Sequence, residues 1–394
     1  MNTIQRFFGL ATILYWILLT GSSPCYAAPT SPSQLLYVQE GHNLITYSVS
    51  PTSAIATKLD SLYLNASPAY PIQIFHAPSA PFLYILGFTS ATEEYFWVHA
   101  VGSDGVPTVD PIQKLSVKPA LTQFFIHPNG KFAYAMYSWD YGYQSDIVLY
   151  TISSKTGELT NTRKALANFT TIPENQTVIY GLSQGGTRLY TEGYNTQGHG
   201  GDSYNYDYYS INATSGLLGE DVPFWYFGIS GMGDYGDGIV NNQLIALAYN
   251  NGFGNADIEV YPFGVNLNPS PIISCTSSMA PVCGDNLSFP GSILPVTTPM
   301  QFDPAGNYLF ITDTSINSIV IANIDLSKKL IKETGISIPG NPLISFSTDG
   351  MLVCAVDKEN LGLYIFDPSS GLMTAHTSVN FPSDVGGILS FSQP

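Results

Sequence analysis

The segment Gln123-Phe-Phe-Ile-His-Pro-Asn-Gly-Lys-Phe-Ala-Tyr-Ala135 decides the fold of this chain. Two short apolar runs flank a Pro-Asn-Gly turn, and short apolar runs bounded by turn residues are typical of β-strands. Glycine supplies the positive φ that such a tight turn needs. The segment therefore predicts a β-hairpin.

The same hairpin pattern recurs along the chain. Clear copies lie at 300–311 and 344–355, looser copies at 72–85 and 178–191, and a degenerate copy at 239–247. A second motif, of the form Ile-x-x-Tyr-x-Ile, recurs at 44–49, 96–101, 147–152, 206–211, 258–263, 319–324 and 361–366. Glycine turns follow several of these copies, at 103–105, 155–157, 214–216 and 369–371. A repeat of about 50 residues is typical of a four-stranded propeller blade.

The first and last repeat units are each incomplete. Residues 34–38 match the second strand of a unit, and residues 387–394 match a first strand. We therefore predict that residues 28–394 form one all-β domain, a seven-bladed β-propeller of four-stranded antiparallel blades. The C-terminal strand completes the N-terminal blade and closes the ring, which protects strand edges from aggregation.

Composition agrees with an all-β chain and excludes some partners. The 394 residues include 26 Tyr, 21 Phe, 36 Gly and 27 Pro, whereas only 11% of the residues are charged. Aromatic and turn-forming residues favour strands and turns. With 13 Lys and Arg against 29 Asp and Glu, the formal net charge is −16, which argues against nucleic acid or an anionic membrane as the partner.

The first 27 residues have the pattern of a secretory signal peptide. Arg6 precedes an apolar run at 7–19, and the segment ends in Cys25-Tyr26-Ala27-Ala28-Pro29. The apolar run is shorter than the ~20 residues of a membrane-spanning helix, so a retained anchor is the lesser alternative. We predict cleavage after Ala27 and a secreted or periplasmic protein with no membrane span in the mature chain.

The cysteines predict one disulfide and no metal site. Cys275 and Cys283 flank a loop that contains Pro and Ser, and export makes a disulfide between them plausible. Cys354 lies in an apolar strand, where we expect a small buried side chain. The sequence has no paired cysteines or histidines at zinc-ligand spacing, and it predicts no cofactor.

The repeats resemble those of the lactonase-type, YVTN-repeat propellers, the 6-phosphogluconolactonase-like group. The similarity lies in the His/Asp-Pro-x-Gly turns at 127–130 and 303–306 and in the segments 150–159 and 209–217. It covers nearly all of residues 28–394 and implies a propeller that hydrolyses a sugar lactone. A phosphorylated substrate is disfavoured because arginine is the side chain that binds phosphate best. Once the leader is removed, the chain has only two arginines: Arg163, which we expect in a connector, and Arg188. For this activity, Glu192, His199 and Asp202 are the candidate acid–base groups.

Three motifs suggest chemistry but are better explained by structure. The Gly-x-Ser-x-Gly sequence at 181–185 falls at a predicted strand-to-strand turn, whereas a nucleophile elbow needs a following helix. We place His76 and His127 in the same turn position, together with Asp303 and Ser347, where a polar side chain caps turn amides. The acidic segment 233–238 lacks the first two carboxylates of a calcium loop.

The most suggestive feature is a group of enlarged loops that should share one face of the propeller. These loops are 138–146, 192–205 and 249–257, and the long connectors 219–237 and 267–298 should join them. Aromatic rings beside Asp and Asn suit carbohydrate or peptide binding. The candidate ligand-binding residues are Trp139, Tyr141, Tyr143, Tyr194, His199, Asp202 and Tyr204.

Three functions remain open from the sequence. The leading hypothesis is an exported, monomeric, non-catalytic propeller that binds a carbohydrate, peptide or protein on this loop-rich face. The alternative is a lactonase-like hydrolase acting on an uncharged sugar lactone, so whether the chain is an enzyme stays undecided. The second alternative is a structural module of a cell-envelope assembly.

Overall fold

The computed structural model describes most of the repeat region. The described residues are 34–64, 66, 72–77, 80–90, 93–117, 121–139, 144–168, 176–182, 185–197, 201–229, 237–240, 244–250, 256–262, 273–275, 300–313, 318–340, 343–347, 349–357, 360–380 and 390–392. Within these ranges every regular element is a β-strand, and none is a helix able to cross a membrane.

The strands form small antiparallel sheets, and seven four-stranded sheets lie within the described ranges. The first contains β28 (Ser390–Ser392), β1 (Gln34–Glu40), β2 (Asn43–Val49) and β3 (Ala56–Tyr63). The second contains β4 (Gln73–His76), β5 (Phe82–Ser90), β6 (Glu93–Ala100) and β7 (Gln113–Val117). The third contains β8 (Leu121–Ile126), β9 (Phe132–Trp139), β10 (Gln144–Ile152) and β11 (Leu159–Asn168). The fourth contains β12 (Gln176–Leu182), β13 (Arg188–Gln197), β14 (Gly201–Ile211) and β15 (Leu218–Ile229).

The remaining sheets follow the same order. The fifth contains β16 (Asp237–Val240), β17 (Leu244–Asn250), β18 (Ala256–Pro262) and β19 (Ile273–Cys275). The sixth contains β20 (Met300–Phe302), β21 (Tyr308–Asp313), β22 (Ser318–Asp325) and β23 (Leu330–Pro339). The seventh contains β24 (Leu343–Phe346), β25 (Leu352–Asp357), β26 (Asn360–Asp367) and β27 (Leu372–Asn380).

The first strands of neighbouring sheets lie side by side, as in a β-propeller. Strand β12 contacts β8 and β16, and β16 contacts β20. Strand β28 pairs with β1, with Leu36 opposite Phe391, and also contacts β24 and β4. The chain is therefore an all-β propeller of small antiparallel sheets, and its last described strand pairs with its first.

Neighbouring sheets pack through apolar clusters. Between the second and third sheets, the rings of Phe96 and Phe124 lie 4.6 Å apart and both side chains are buried. Each buried aromatic side chain removes a large apolar area from water. This burial stabilises the fold by about 25 cal/mol per Å² of apolar area. Cys354 is fully buried in the cluster between the first and seventh sheets, which confirms its prediction as a small core residue.

A repeated hydrogen bond joins consecutive sheets. The hydroxyl groups of three buried tyrosines donate to glycine carbonyls of the next sheet: Tyr37 to Gly105 (2.9 Å), Tyr84 to Gly157 (2.9 Å) and Tyr134 to Gly216 (2.8 Å). These glycines close the turns that the sequence predicted, with φ values of 83°, 73° and 72°. A Cβ atom on Gly157 would lie 2.5 Å from the Phe82 ring, so this turn has no room for a side chain.

The structure corrects three element assignments from the sequence. Most of the predicted loop 192–205 is strand, because β13 continues to Gln197 and β14 begins at Gly201. The predicted connector 219–237 consists largely of β15, whose aromatic run pairs with β14. Arg163 lies within β11 and not in a connector.

Candidate functional site

The structure places four of the predicted ligand-binding residues in strands of the third and fourth sheets. Trp139 ends β9 and pairs with Gln144. Tyr194 pairs with Tyr204 between β13 and β14, and Asp202 pairs with Thr196 in the same ladder. Tyr141, Tyr143 and His199 lie outside the described residues.

The fourth sheet is extended at the end that carries these residues. Strands β13, β14 and β15 have 10, 11 and 12 residues, whereas β25, β26 and β27 of the seventh sheet have 6, 8 and 9. The backbone ladder brings Tyr194 and Tyr204 together, as a shared binding surface requires. Turns between second and third strands emerge on one face of a propeller, so Trp139 belongs to the same face.

His127 is a turn cap, as the sequence predicts. Its Nδ1 atom accepts a hydrogen bond from the Asn129 N–H at 3.1 Å, and its Nε2–H donates to the Gly186 carbonyl of the fourth sheet at 2.8 Å. Both ring nitrogens are therefore engaged in structural contacts.

Asp303 and Ser347 occupy the same turn position as His127. Asp303 Oδ1 accepts from the Tyr308 N–H at 2.6 Å, and Ser347 Oγ accepts from the Leu352 N–H at 2.9 Å. Burial raises the pKa of Asp303, and the turn N–H groups oppose that rise. The position therefore serves the fold.

The prediction for His76 is wrong. The turn position in the second sheet belongs to Ala77, whose N–H and carbonyl make the bonds that His127 makes in the third sheet. The physical reason is the proline that follows the capping residue: Pro78 aligns with Pro128, which shifts the register by one residue. His76 ends β4, and burial lowers the pKa of its imidazole.

The Gly-x-Ser-x-Gly motif begins with the last two residues of β12, and its final residue, Gly185, precedes β13. Strand β12 ends at Leu182 and β13 begins at Arg188, and these two strands pair with each other. Ser183 itself is outside the described residues. Without a helix after the strand, the motif lacks the geometry of a nucleophile elbow.

Sequence reasoning missed a buried carboxyl group, Glu94, on β6. Its side chain is 4% exposed, and Oε2 accepts a hydrogen bond from the Leu121 N–H at 2.9 Å. Burial raises the pKa of Glu94 to about 7, and the Leu121 N–H opposes the rise. Strand periodicity carried the signal, because Glu94 alternates with the buried residues Phe96 and Val98 on one face.

Two tyrosines lie near this carboxyl group. The hydroxyl groups of Tyr137 and Tyr150 share a hydrogen bond, and Asn161 Nδ2 donates to Tyr150 at 3.3 Å. Burial raises the pKa of Tyr137, and the charges of Tyr150 and Glu94 raise it further. With Glu94 these tyrosines form a group of buried polar side chains between the second and third sheets.

His99 is a second buried titratable group outside the predictions. It is 2% exposed, and its Nδ1–H donates to the Thr108 carbonyl at 2.8 Å, whereas Nε2 is buried without a partner. Burial lowers the pKa of His99, against smaller opposing effects of Thr108 and Asp110. The equivalent residues of several other repeats are tyrosines, such as Tyr47 and Tyr150.

An exposed ring pair lies at the β1–β2 turn. His42 and Tyr63 stack with ring centroids 5.7 Å apart and an interplanar angle of 25°. His42 Nδ1–H donates to the Ala66 carbonyl at 2.8 Å, which fixes the imidazole. Tyr63 is 67% exposed.

The described residues include no group of three or more His, Cys, Asp or Glu side chains able to hold a metal ion. The Arg188 guanidinium stacks over the Tyr208 ring at 4.5 Å. Glu192 lies in β13, where it pairs with Tyr206. The predicted disulfide stays a prediction: Cys275 ends β19, and Cys283 lies outside the described residues.

Comparison with known proteins establishes the fold alone. No family model and no curated protein matches the sequence. A provisional 6-phosphogluconolactonase from Bacteroides uniformis superposes with a TM-score of 0.61 at 11% identity, over 92% of this chain and 100% of its own. The periplasmic gluconolactonase PpgL from Pseudomonas aeruginosa superposes with a TM-score of 0.60 at 12% identity, over 92% of this chain and 99% of its own. A second provisional 6-phosphogluconolactonase, from Bacteroides fragilis, superposes with a TM-score of 0.58 at 12% identity, over 93% of this chain and 99% of its own. The predicted resemblance to lactonase-type propellers is therefore confirmed at the level of the fold.

Proposed function

We propose that this propeller binds an uncharged carbohydrate on the face where its second-to-third-strand turns emerge. The observation that carries the proposal is the extended β13–β14 hairpin, in which the backbone ladder pairs Tyr194 with Tyr204. Aromatic residues beside Asp and Asn supply stacking surface and hydrogen bonds at little cost in conformational entropy. The net charge of −16 disfavours an anionic sugar.

A double variant tests this proposal. Trp139→Ala combined with Tyr204→Ala is expected to abolish binding of neutral sugars, measured by saturation-transfer NMR, and to leave the melting temperature unchanged. Leu326→Ala, at an exposed position in the β22–β23 turn, serves as the control. Undiminished sugar binding by the double variant would count against the proposal, and peptide binding in place of sugar would correct the ligand class.

Hydrolysis of an uncharged sugar lactone is the second candidate function. Its support is the fold shared with PpgL, a periplasmic gluconolactonase, over 92% of this chain. Glucono-δ-lactone is the substrate to test, with proton release followed by a pH indicator, with and without calcium. A rate equal to that of buffer eliminates this candidate and leaves the binding function intact.

We infer further that the seven sheets are the blades of one closed ring and that the protein works outside the cytoplasm. The contacts of β28 with β1, β24 and β4 support closure. The leader pattern at 1–27 supports export. Deletion of residues 387–394 should lower the urea midpoint and promote aggregation, because it exposes the edge of β1. An unchanged midpoint would contradict closure, and a processed N-terminus beginning at Ala28 in exported protein would support export.

A further inference from the structure

We propose that Tyr63, with His42 and Asn43, forms a sugar-stacking subsite at the β1–β2 turn of the first sheet. The inference rests on the proposed carbohydrate-binding function and extends it to a part of the face that the sequence did not single out. The turn joins a second strand to a third strand, as the β9–β10 and β13–β14 turns do. It therefore emerges on the same face.

Tyr63 is the most exposed large apolar side chain of β3. Its side chain is 67% exposed, whereas its neighbours Leu62 and Leu64 are 6% and 3% exposed. The backbone is anchored on both sides of it, since Tyr63 pairs with Asn43 and the Leu64 N–H donates to the His42 carbonyl at 2.7 Å. A large ring is thus displayed to solvent from a fixed backbone.

The ring itself is held in place before any ligand arrives. The His42 ring stacks against Tyr63, and the imidazole is fixed by its bond to the Ala66 carbonyl. Because the ring is already ordered, binding costs little side-chain entropy. The 67% exposure of Tyr63 leaves ring surface available to an apolar ligand surface.

The chemistry around Tyr63 points to a neutral sugar ring. The C–H face of a pyranose packs on an aromatic ring, and its hydroxyl groups need hydrogen-bond partners at the edge. Asn43 lies directly opposite Tyr63 in the β2–β3 ladder, and side chains at such positions are neighbours on one face. Its amide offers both a donor and an acceptor to a hydroxyl group.

The test uses the full chain and a panel of neutral sugars: glucose, galactose, N-acetylglucosamine and cellobiose. Saturation-transfer NMR identifies the sugar that binds, and a titration measures its Kd. Tyr63→Ala should weaken binding about tenfold or more, whereas Tyr63→Phe, which keeps the ring, should stay within about twofold. Leu59→Ala, an exposed site on the same strand, should bind as the wild type does.

The outcomes separate this subsite from the wider function. Wild-type affinity in Tyr63→Ala, together with lost binding in the Trp139→Ala and Tyr204→Ala double variant, would overturn the subsite and leave the proposed function standing. Absence of sugar binding in the wild type would overturn both. A loss in Leu59→Ala equal to that in Tyr63→Ala would also overturn the subsite, because it would show a general effect on the strand.

Discussion

The carboxylate of Glu94 accepts a hydrogen bond from the backbone N–H of Leu121, 2.9 Å away in the next sheet. A neutral side chain does the same between the first and second sheets, where Gln39 Oε1 accepts from the Ile72 N–H at 3.0 Å. Each bond satisfies an amide where the chain enters a new sheet. The comparison shows that the bond itself needs no charge.

We therefore expect Glu94→Gln to keep this bond and to remove a pH dependence of stability. In the folded protein the pKa of Glu94 is about 7, above its ordinary value of 4.5. The stabilisation from its bound proton is complete below pH 4.5 and is lost as the pH rises through 7. Wild-type protein should lose on the order of 2–3 kcal/mol of unfolding free energy over this range relative to Glu94→Gln. Urea unfolding at pH 4.5 and pH 8 measures the difference, and equal pH profiles would contradict it.

His99 should change the free energy of unfolding with pH in the direction opposite to Glu94. Burial lowers the pKa of its imidazole below 6.5, so unfolding takes up a proton once the pH falls under that value. The free energy of unfolding should therefore fall on acidification. His99→Asn, which does not titrate, should flatten this fall at some cost in packing. The measurement is best made in the Glu94→Gln background at pH 7.5 and pH 5.5, and a slope unchanged by His99→Asn would reject the assignment.

Tyr84→Phe should destabilise the protein by about 1–2 kcal/mol, because the buried Gly157 carbonyl loses its hydroxyl donor. The ring alone fits this position, since the equivalent residue of the sixth sheet is Phe310. Tyr63→Phe is the matched control, because the Tyr63 side chain is exposed and should give no change. Urea unfolding at one pH compares the two variants, and equal effects would refute the contribution of the inter-sheet bond.

Two glycines with similar backbone conformations allow the cost of backbone strain to be measured apart from the cost of side-chain packing. Gly335 has φ 77° with no atom within 4 Å of a built Cβ, whereas Gly157 has φ 73° with the Phe82 ring at 2.5 Å. Gly335→Ala should cost about 1 kcal/mol from the left-handed backbone alone. Gly157→Ala should cost about 2 kcal/mol more because it displaces the ring. Thermal melts of both variants give the comparison, and equal losses would show that the Phe82 contact relaxes freely.

Much of the fold could be predicted from the sequence because the same pattern of strands and turns recurs several times along the chain. The second motif falls on the third strand of each sheet, and its tyrosine is buried in the first and third sheets, as Tyr47 and Tyr150. The register error at His76 arose because a His before Ala-Pro was read as the turn residue. Aligning the prolines would have assigned the turn to Ala77.

The candidate site was harder to predict than the fold. Polar, glycine-rich sequence around Tyr194 and Tyr204 reads as a loop, but pairing with β12 and β15 draws it into strands. Local composition carries no information about such long-range pairing. The sequence analysis did not single out Glu94, although its period-two spacing from Phe96 and Val98 distinguishes it from its neighbour Glu93.

The buried thiol of Cys354 can report how often two sheets of the propeller separate. Its thiol is fully buried in the cluster shared by the first and seventh sheets, and burial raises its pKa well above the ordinary value. Only the thiolate attacks an alkylating reagent, so this sulfur reacts only when the two sheets separate and expose it. The rate at which a peptide containing Cys354 acquires a label thus measures how often the first and seventh sheets separate.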